Sequence, residues 1–208
     1  MKPFTCLTGI AAPLPRDNVD TDAIIAARSM EGGVRALGPL LFTNWRYDTS
    51  NAERPDFVLN QPRYRAANFL VAGRNFGCGS SREIAVWALL DYGIRAVIAA
   101  SFGDIFYENC LQNGLLPISL DMAQINALTN WINRAPEPAM TVDLERNGIV
   151  AGHLNFSFEI DPERRRALLE AKDDFALLIE QLDRTRDFAE RRRHAAGWLF
   201  DRWSAVVE

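Results

Sequence analysis

The sequence predicts an α/β fold in which short buried strands alternate with helices, and three observations carry that expectation. Residues 69–72, 96–100 and 115–119 are short apolar runs of the length expected for strands covered on both faces. Between them, Ile84, Trp87, Ala88 and Leu90 fall near a helical spacing, and 104–113 forms a second helical segment closed by Gly114 in the manner of a C-cap glycine. Strand, helix, strand, helix, strand is the order of parallel crossover units whose helices cover a sheet.

The remaining elements follow from local signals. Residues 4–10 have strand-like content and run into the breakers Pro13 and Pro15. Asn18, Asp20, Thr21 and Asp22 form a cluster of short polar side chains of the kind that makes turns by bonding its own backbone. Ile24 and Ile25 precede a loop carrying Arg28, Gly32, Gly33, Arg35 and Gly38, in which Met30 or Val34 would suit an apolar group and Arg28 or Arg35 a carboxylate. A short helix is expected over 37–45. A mobile connection, with Pro55 and Pro62, is expected over 47–64. Further on, 121–132 reads as an amphipathic helix ended by Pro136 and Pro138. Residues 139–143, 149–151 and 154–160 read as short strands, with Asn147-Gly148 as a hairpin signal. Asp161 and Pro162 open a helix as cap and first residue.

Two regions are expected, 1–160 as the α/β domain and 161–208 as a helical C-terminal extension. In the extension Leu168, Leu169, Phe175, Leu178, Ile179, Leu182 and Phe188 keep a helical apolar period, and Arg191-Arg192-Arg193 reads as a solvated face. Trp198, Leu199, Phe200 and Trp203 are too many large apolar groups for a free tail, so docking on the domain or on a partner is expected.

Composition narrows the function. The chain has 208 residues, is 48% hydrophobic and carries a net charge of −4, which speaks against a strongly basic nucleic-acid surface. No apolar run approaches a membrane span and residues 1–20 lack signal-peptide order, so a cytoplasmic protein is expected. Cys6, Cys78 and Cys110 are odd in number and unrelated in spacing, and only His153 and His194 are available, so no metal knuckle or disulfide framework is indicated. Cys110 reads as core; Cys78, between two glycines, reads as more exposed, with no basic partner in view to make it a nucleophile.

The stretch from Gly73 to Glu83 is where chemistry concentrates. Gly73, Gly77 and Gly79 free the backbone for φ > 0 and for close approach of a ligand. Ser80, Ser81 and Arg82 then add two hydroxyls and a guanidinium at the expected helix N-terminus, a combination suited to a carboxylate or phosphate. The spacing of Ser80 and Glu83 also fits a capping box, and spacing alone leaves both readings open. There is no Gly-x-Gly-x-x-Gly and no P-loop lysine, which weakens a nucleotide-binding reading.

Gly77-Cys-Gly-Ser-Ser-Arg-Glu83, with Asn18-Val-Asp-Thr-Asp22 upstream and Ser101-Phe-Gly-Asp-Ile-Phe-Tyr-Glu-Asn-Cys-Leu-Gln-Asn-Gly-Leu-Leu-Pro117 downstream, resembles the small subunits of 3-isopropylmalate dehydratase, which correspond to the swivelling domain of the aconitase superfamily. The three blocks keep the family's order over most of the chain. The resemblance implies a three-layer β/β/α swivelling domain and a hydro-lyase that interconverts 2- and 3-isopropylmalate by dehydration and rehydration in leucine biosynthesis. Related diacids, of the homoaconitate, citraconate or dimethylmalate type, are the alternative. It implies Ser80 as catalytic base, with Ser81, Arg82, Asp22 and Arg28 binding a small dicarboxylic acid substrate. It further implies a separate large subunit carrying a [4Fe-4S] cluster, with no metal held by this chain. Ile84 departs from the pattern, since relatives usually have histidine there, as does Ala26, where proline is common.

Overall fold

The computed structural model describes residues 1–26 and 36–200. Seven strands form one mixed sheet in the order β4-β3-β2-β1-β5-β6-β7. They are β1 (Cys6–Leu14), β2 (Ala67–Ala72), β3 (Ala96–Ala99), β4 (Leu116–Ser119), β5 (Ala139–Asp143), β6 (Gly148–Ala151) and β7 (Leu154–Ser157). β1 to β4 pair in parallel, and β5 to β7 continue from β1 in antiparallel. Helices α1 (Thr21–Ile24), α2 (Thr43–Arg46), α3 (Ile84–Tyr92), α4 (Asp104–Asn113) and α5 (Met122–Arg134) lie in the connections. The α/β expectation holds, and its cause is visible: Phe69, Leu70, Val71, Val97, Ile98 and Ile118 are fully buried, each stabilising the fold by about 2 kcal/mol.

Two prolines sit in strands without harm. β1 runs through Pro13 to Leu14 instead of stopping, because its pairing with β5 ends at Ile10; beyond that point the missing N–H removes no ladder bond on that side. Pro117 lies in β4, at the edge of the sheet. Helix α5 starts on a capping box in which Asp121 accepts from the Gln124 amide and Gln124 reaches back to the Asp121 amide. Ile125, Leu128 and Ile132 bury its apolar face, and α5 packs on β1 and β2.

The short helix expected over 37–45 divides into a 3-10 turn (Gly38–Leu40) and α2. The connection over 47–64 is pinned rather than mobile. Arg46, 6% exposed, donates through Nε to the Asn60 carbonyl oxygen at 3.1 Å and lies between the rings of Tyr47 and Tyr92. Asn60 returns its amide to the Arg46 and Arg54 carbonyls, and the Tyr92 hydroxyl donates to those of Leu59 and Arg65. Phe57, Leu59 and Tyr64 are buried beneath.

The chain divides into two compact units, Met1–Ala171 and Lys172–Glu208. Helix α6 (Pro162–Glu170), which the sequence grouped with the extension, belongs to the first unit. Its Ala167 and Leu168 are buried there, and the Leu168 carbonyl accepts the Phe4 N–H at 3.0 Å. The second unit holds α7 (Asp174–Glu180) and α8 (Leu182–Ala195), followed by a 3-10 turn (Gly197–Leu199). Phe175, Leu178, Ile179, Phe188 and Trp198 are exposed in it, as is the basic run Arg191 to Arg193; Trp203 lies outside the described residues. Among the described residues no helix is long and apolar enough to cross a membrane.

Candidate active site

Three separate stretches meet at the carboxyl ends of β1 and β2. The bend that follows β2 is braced on one side by 16–22. There Gly73 N–H donates to the Arg16 carbonyl at 3.1 Å, Asn18 N–H to that of Arg74 at 2.8 Å, Gly77 N–H to that of Val19 at 2.7 Å and Thr21 N–H to that of Cys78 at 3.0 Å. On the other side the segment after β3 holds it: Phe76 N–H donates to the Ser101 carbonyl and Asn75 N–H to the Ser101 hydroxyl, while Gly103 N–H donates to the Phe76 carbonyl. Asn18 and Asn75 both take left-handed backbone, and the Asn75 amide donates to Asn18 Oδ1 at 2.8 Å. Such a concentration of strained positions marks a bend held open by its surroundings.

Gly77 is required sterically. At φ +75° a Cβ would stand 2.1 Å from Phe106 Cγ, so only glycine lets the bend close on α4. At Gly79, φ +90°, a Cβ would make only ordinary contacts, with Asp20 Cβ at 3.5 Å and Thr21 Oγ1 at 3.9 Å, so its demand is conformational alone.

The bend presents four of the expected residues together. Ser80 and Ser81 are exposed, and among the described residues their hydroxyls make no hydrogen bond; the N–H groups of Gly79, Ser80 and Ser81 donate to no backbone carbonyl. Arg82, with its side chain 25% exposed, pairs through one terminal nitrogen with Asp22. Thr21 fixes the bend from below by donating its hydroxyl to the Ser80 carbonyl at 3.1 Å. Arg28 lies outside the described residues, as do Met30, Val34 and Arg35.

Two expectations are corrected. Helix α3 begins at Ile84, so Ser80 and Ser81 precede it rather than forming its first turn. The capping-box reading of Ser80 fails with it. Glu83 is itself the cap residue with no side-chain cap bond, and its carboxylate accepts instead from the Asn113 amide at 2.7 Å. Ile84 is half-buried against the core, an apolar environment in keeping with its own side chain. The polar cluster at 18–22 does make a local cap, since Asp20 accepts the Ala23 N–H at 2.7 Å, but Asp22 is turned to Arg82.

Sequence reasoning missed the supports, namely Asp17, Asn75, Ser101, Phe106 and Asn113. Asp17 takes the Arg74 N–H at 2.6 Å. Their common property is a partner tens of residues away, which no local pattern reveals.

Cys78 is partly exposed, but burial and the neighbouring Asp20 push its thiol above the ordinary range, so the neutral form is favoured. Cys110 is buried in α4, and its thiol is pushed well up by desolvation. Among the described residues no three His, Cys, Asp or Glu side chains stand together as a metal would need. Cys6, Cys78 and Cys110 occupy separate elements and do not assemble an iron–sulfur ligand set. A cavity of about 440 Å³ is lined by Arg16, Trp45 and Arg54, not by the two serines, which lie on open surface.

Comparison with known proteins shows the family and the fold. The Aconitase C-terminal domain family matches residues 1–123. The 3-isopropylmalate dehydratase small subunit of Paramagnetospirillum magneticum is 49% identical over 201 residues, covering 96% of this chain and 100% of the relative. That of Rhodospirillum centenum is 50% identical over 200 residues, covering 95% and 98%. The crystal structure of a 3-isopropylmalate dehydratase from Methanocaldococcus jannaschii superposes with a TM-score of 0.61 at 28% identity, over 88% of this chain and 99% of that one.

Proposed function

The chain belongs to the Aconitase C-terminal domain family, among the small subunits of 3-isopropylmalate dehydratase, and from that premise we propose how its open bend shares in the reaction. The chain serves as the small subunit of a hydro-lyase that interconverts 2- and 3-isopropylmalate by removing and re-adding water, a step of leucine biosynthesis. Each half-reaction moves one proton and one hydroxyl: a base takes the proton from the carbon next to a carboxylate, the hydroxyl leaves its neighbour, and a double bond forms between them.

The observation that carries the assignment is the pair of exposed hydroxyls, Ser80 and Ser81, which make no hydrogen bond among the described residues and lie beside a guanidinium. Ser80 Oγ is the base. A free serine is a weak base, and the amides of Gly79, Ser80 and Ser81, which donate to no described backbone carbonyl, together with Arg82 supply the positive field that stabilises its anion. Arg82 holds a substrate carboxylate. Asp22 engages one terminal nitrogen and thereby sets the fork's orientation, leaving the remaining N–H groups for a ligand. Ser81 donates to the same carboxylate, and Arg28 serves the second one.

A Lewis acid for the departing hydroxyl has no ligand set among the described residues of this chain, and we assign it to a [4Fe-4S] cluster on the large subunit. The test is reconstitution of the purified full chain with its large subunit and a turnover assay on 2-isopropylmalate. Turnover is expected only when both chains are present and faster than with homoaconitate, citraconate or dimethylmalate. Preference for one of those diacids would overturn the substrate assignment, and full turnover by the large subunit alone would overturn the active-site role.

A further inference from the structure

Two large apolar side chains of the first unit are left exposed at the two ends of the bend: Trp87 at 45% and Ile105 at 56%. Helix α4 carries Ile105 and, through Asn113, holds Trp87 of α3. It starts just after Gly103, where a Cβ would meet the Gly77 carbonyl oxygen at 2.7 Å and Cys78 Cα at 3.1 Å. It ends on Asn113, which donates to the Glu83 carboxylate at 2.7 Å and accepts the Trp87 indole N–H at 2.8 Å. The reactive bend therefore runs beside α4 from one end to the other. Ile105, Asn109 and Asn113 recur at four-residue intervals and share one face of α4. Asn113 also donates to the Asn109 carbonyl at 2.8 Å.

The four side chains of this stripe, Ile105, Asn109, Asn113 and Trp87, are themselves uncharged, and the Glu83 carboxylate beside them is held by the Asn113 amide at 2.7 Å. Aromatic and aliphatic anchors set among neutral amides are the composition of the core of a protein–protein interface, not of a nucleic-acid or headgroup surface. Trp87 is already oriented by its bond to Asn113, so little rotamer freedom is lost when it is covered.

We propose that the stripe from Ile105 to Trp87 is the surface on which the large subunit seats, closing over Ser80 and Ser81. The proposal rests on the small-subunit reading above. The occupant follows from continuity: the stripe borders the bend that carries Ser80 and Ser81, through Gly103 against Gly77 at one end and Asn113 on Glu83 at the other, so a partner that completes the site over these exposed serines meets it.

The experiment measures association of the purified full chain with the purified large subunit by sedimentation velocity, for wild type, Ile105→Ala, Ile105→Asp and the control Val150→Asp. Val150 is 48% exposed on β6, in the antiparallel half of the sheet. Ile105→Asp is expected to raise Kd by about thirtyfold and Ile105→Ala by about threefold or more. Val150→Asp is expected to leave Kd within about twofold. At saturating large subunit, Ile105→Asp is expected to recover wild-type kcat. Association that Ile105→Asp and Val150→Asp affect equally overturns the surface alone. A dimer of the free chain that Ile105→Asp dissolves gives the stripe to a second copy and also overturns it. Failure of the wild-type chain to associate at all overturns the small-subunit reading, and the surface with it.

Discussion

The turn at 48–52 and the bend at 73–82 use the same residue types for opposite ends. Each has an asparagine in left-handed backbone, Asn51 at φ 62° and Asn75 at φ 58°, and each carries exposed serine. In the first turn the serine is spent internally. Asp48 Oδ1 accepts the Ser50 hydroxyl at 2.7 Å and the N–H groups of Ser50 at 2.8 Å and Ala52 at 3.0 Å, and the Asp48 N–H donates to the Ala52 carbonyl. In the second the backbone is braced from both sides, yet the Ser80 and Ser81 hydroxyls have no bond to any described residue. Polar capacity that a rigid scaffold leaves unused is what a ligand can take up; a serine satisfied by its own turn has none to give.

The sharpest way to break the contrast is to remove the scaffold. Gly77→Ala places a methyl group against Phe106 at positive φ and is expected to destabilise the chain by about 3 kcal/mol or more in a denaturant titration. A loss below about 1 kcal/mol would show that the bend is not sterically fixed. Arg82→Lys keeps the charge and loses the fork; KM for isopropylmalate is expected to rise by about tenfold or more in the reconstituted enzyme, with a smaller change in kcat. An unchanged KM would remove Arg82 from substrate binding.

On the other turn, Ser50→Ala is expected to lower Tm by about 1–2 °C and leave turnover intact, because its bond is local and exposed. Smallest is the pH effect. The Ser50 hydroxyl, followed by the Ala52 amide, holds the Asp48 carboxyl below its ordinary value of 3.8. A depressed folded-state pKa contributes stability that is present above the unfolded pKa and lost as pH falls through the folded one. Asp48→Asn should therefore be slightly less stable than wild type at neutral pH and equal to it at the acid end, below the folded pKa, as read from Tm against pH. A gap that persists there would assign the effect to packing.

How much of this was legible in the sequence follows from how local each cause is. The parallel strands were legible because a strand covered on both faces writes a continuous apolar run, as at Phe69–Val71 and Val97–Ile98. The start of α3 was not, because Ser80 and Glu83 imitate a capping box while Glu83 is taken by Asn113, thirty residues on. Burial of Arg46 was equally hidden, since it depends on Asn60 and Tyr92 meeting it in space. Four of the proposed site residues, Asp22, Ser80, Ser81 and Arg82, could be picked out from their motifs. The contacts that hold them, Thr21 to Ser80 and Asn75 to Asn18, join positions 59 and 57 residues apart.

The central claim is that the Ser80 hydroxyl, which bonds no described residue, is used by the reaction. Turnover and thermal unfolding of Ser80→Ala, measured together in the reconstituted enzyme and in the free chain, test it most directly. Loss of a catalytic base predicts kcat lower by about 10²–10⁴-fold, with Tm within about 1 °C of wild type because no hydrogen bond among the described residues is removed. Wild-type turnover, or activity lost only in step with a collapse of stability, would contradict it.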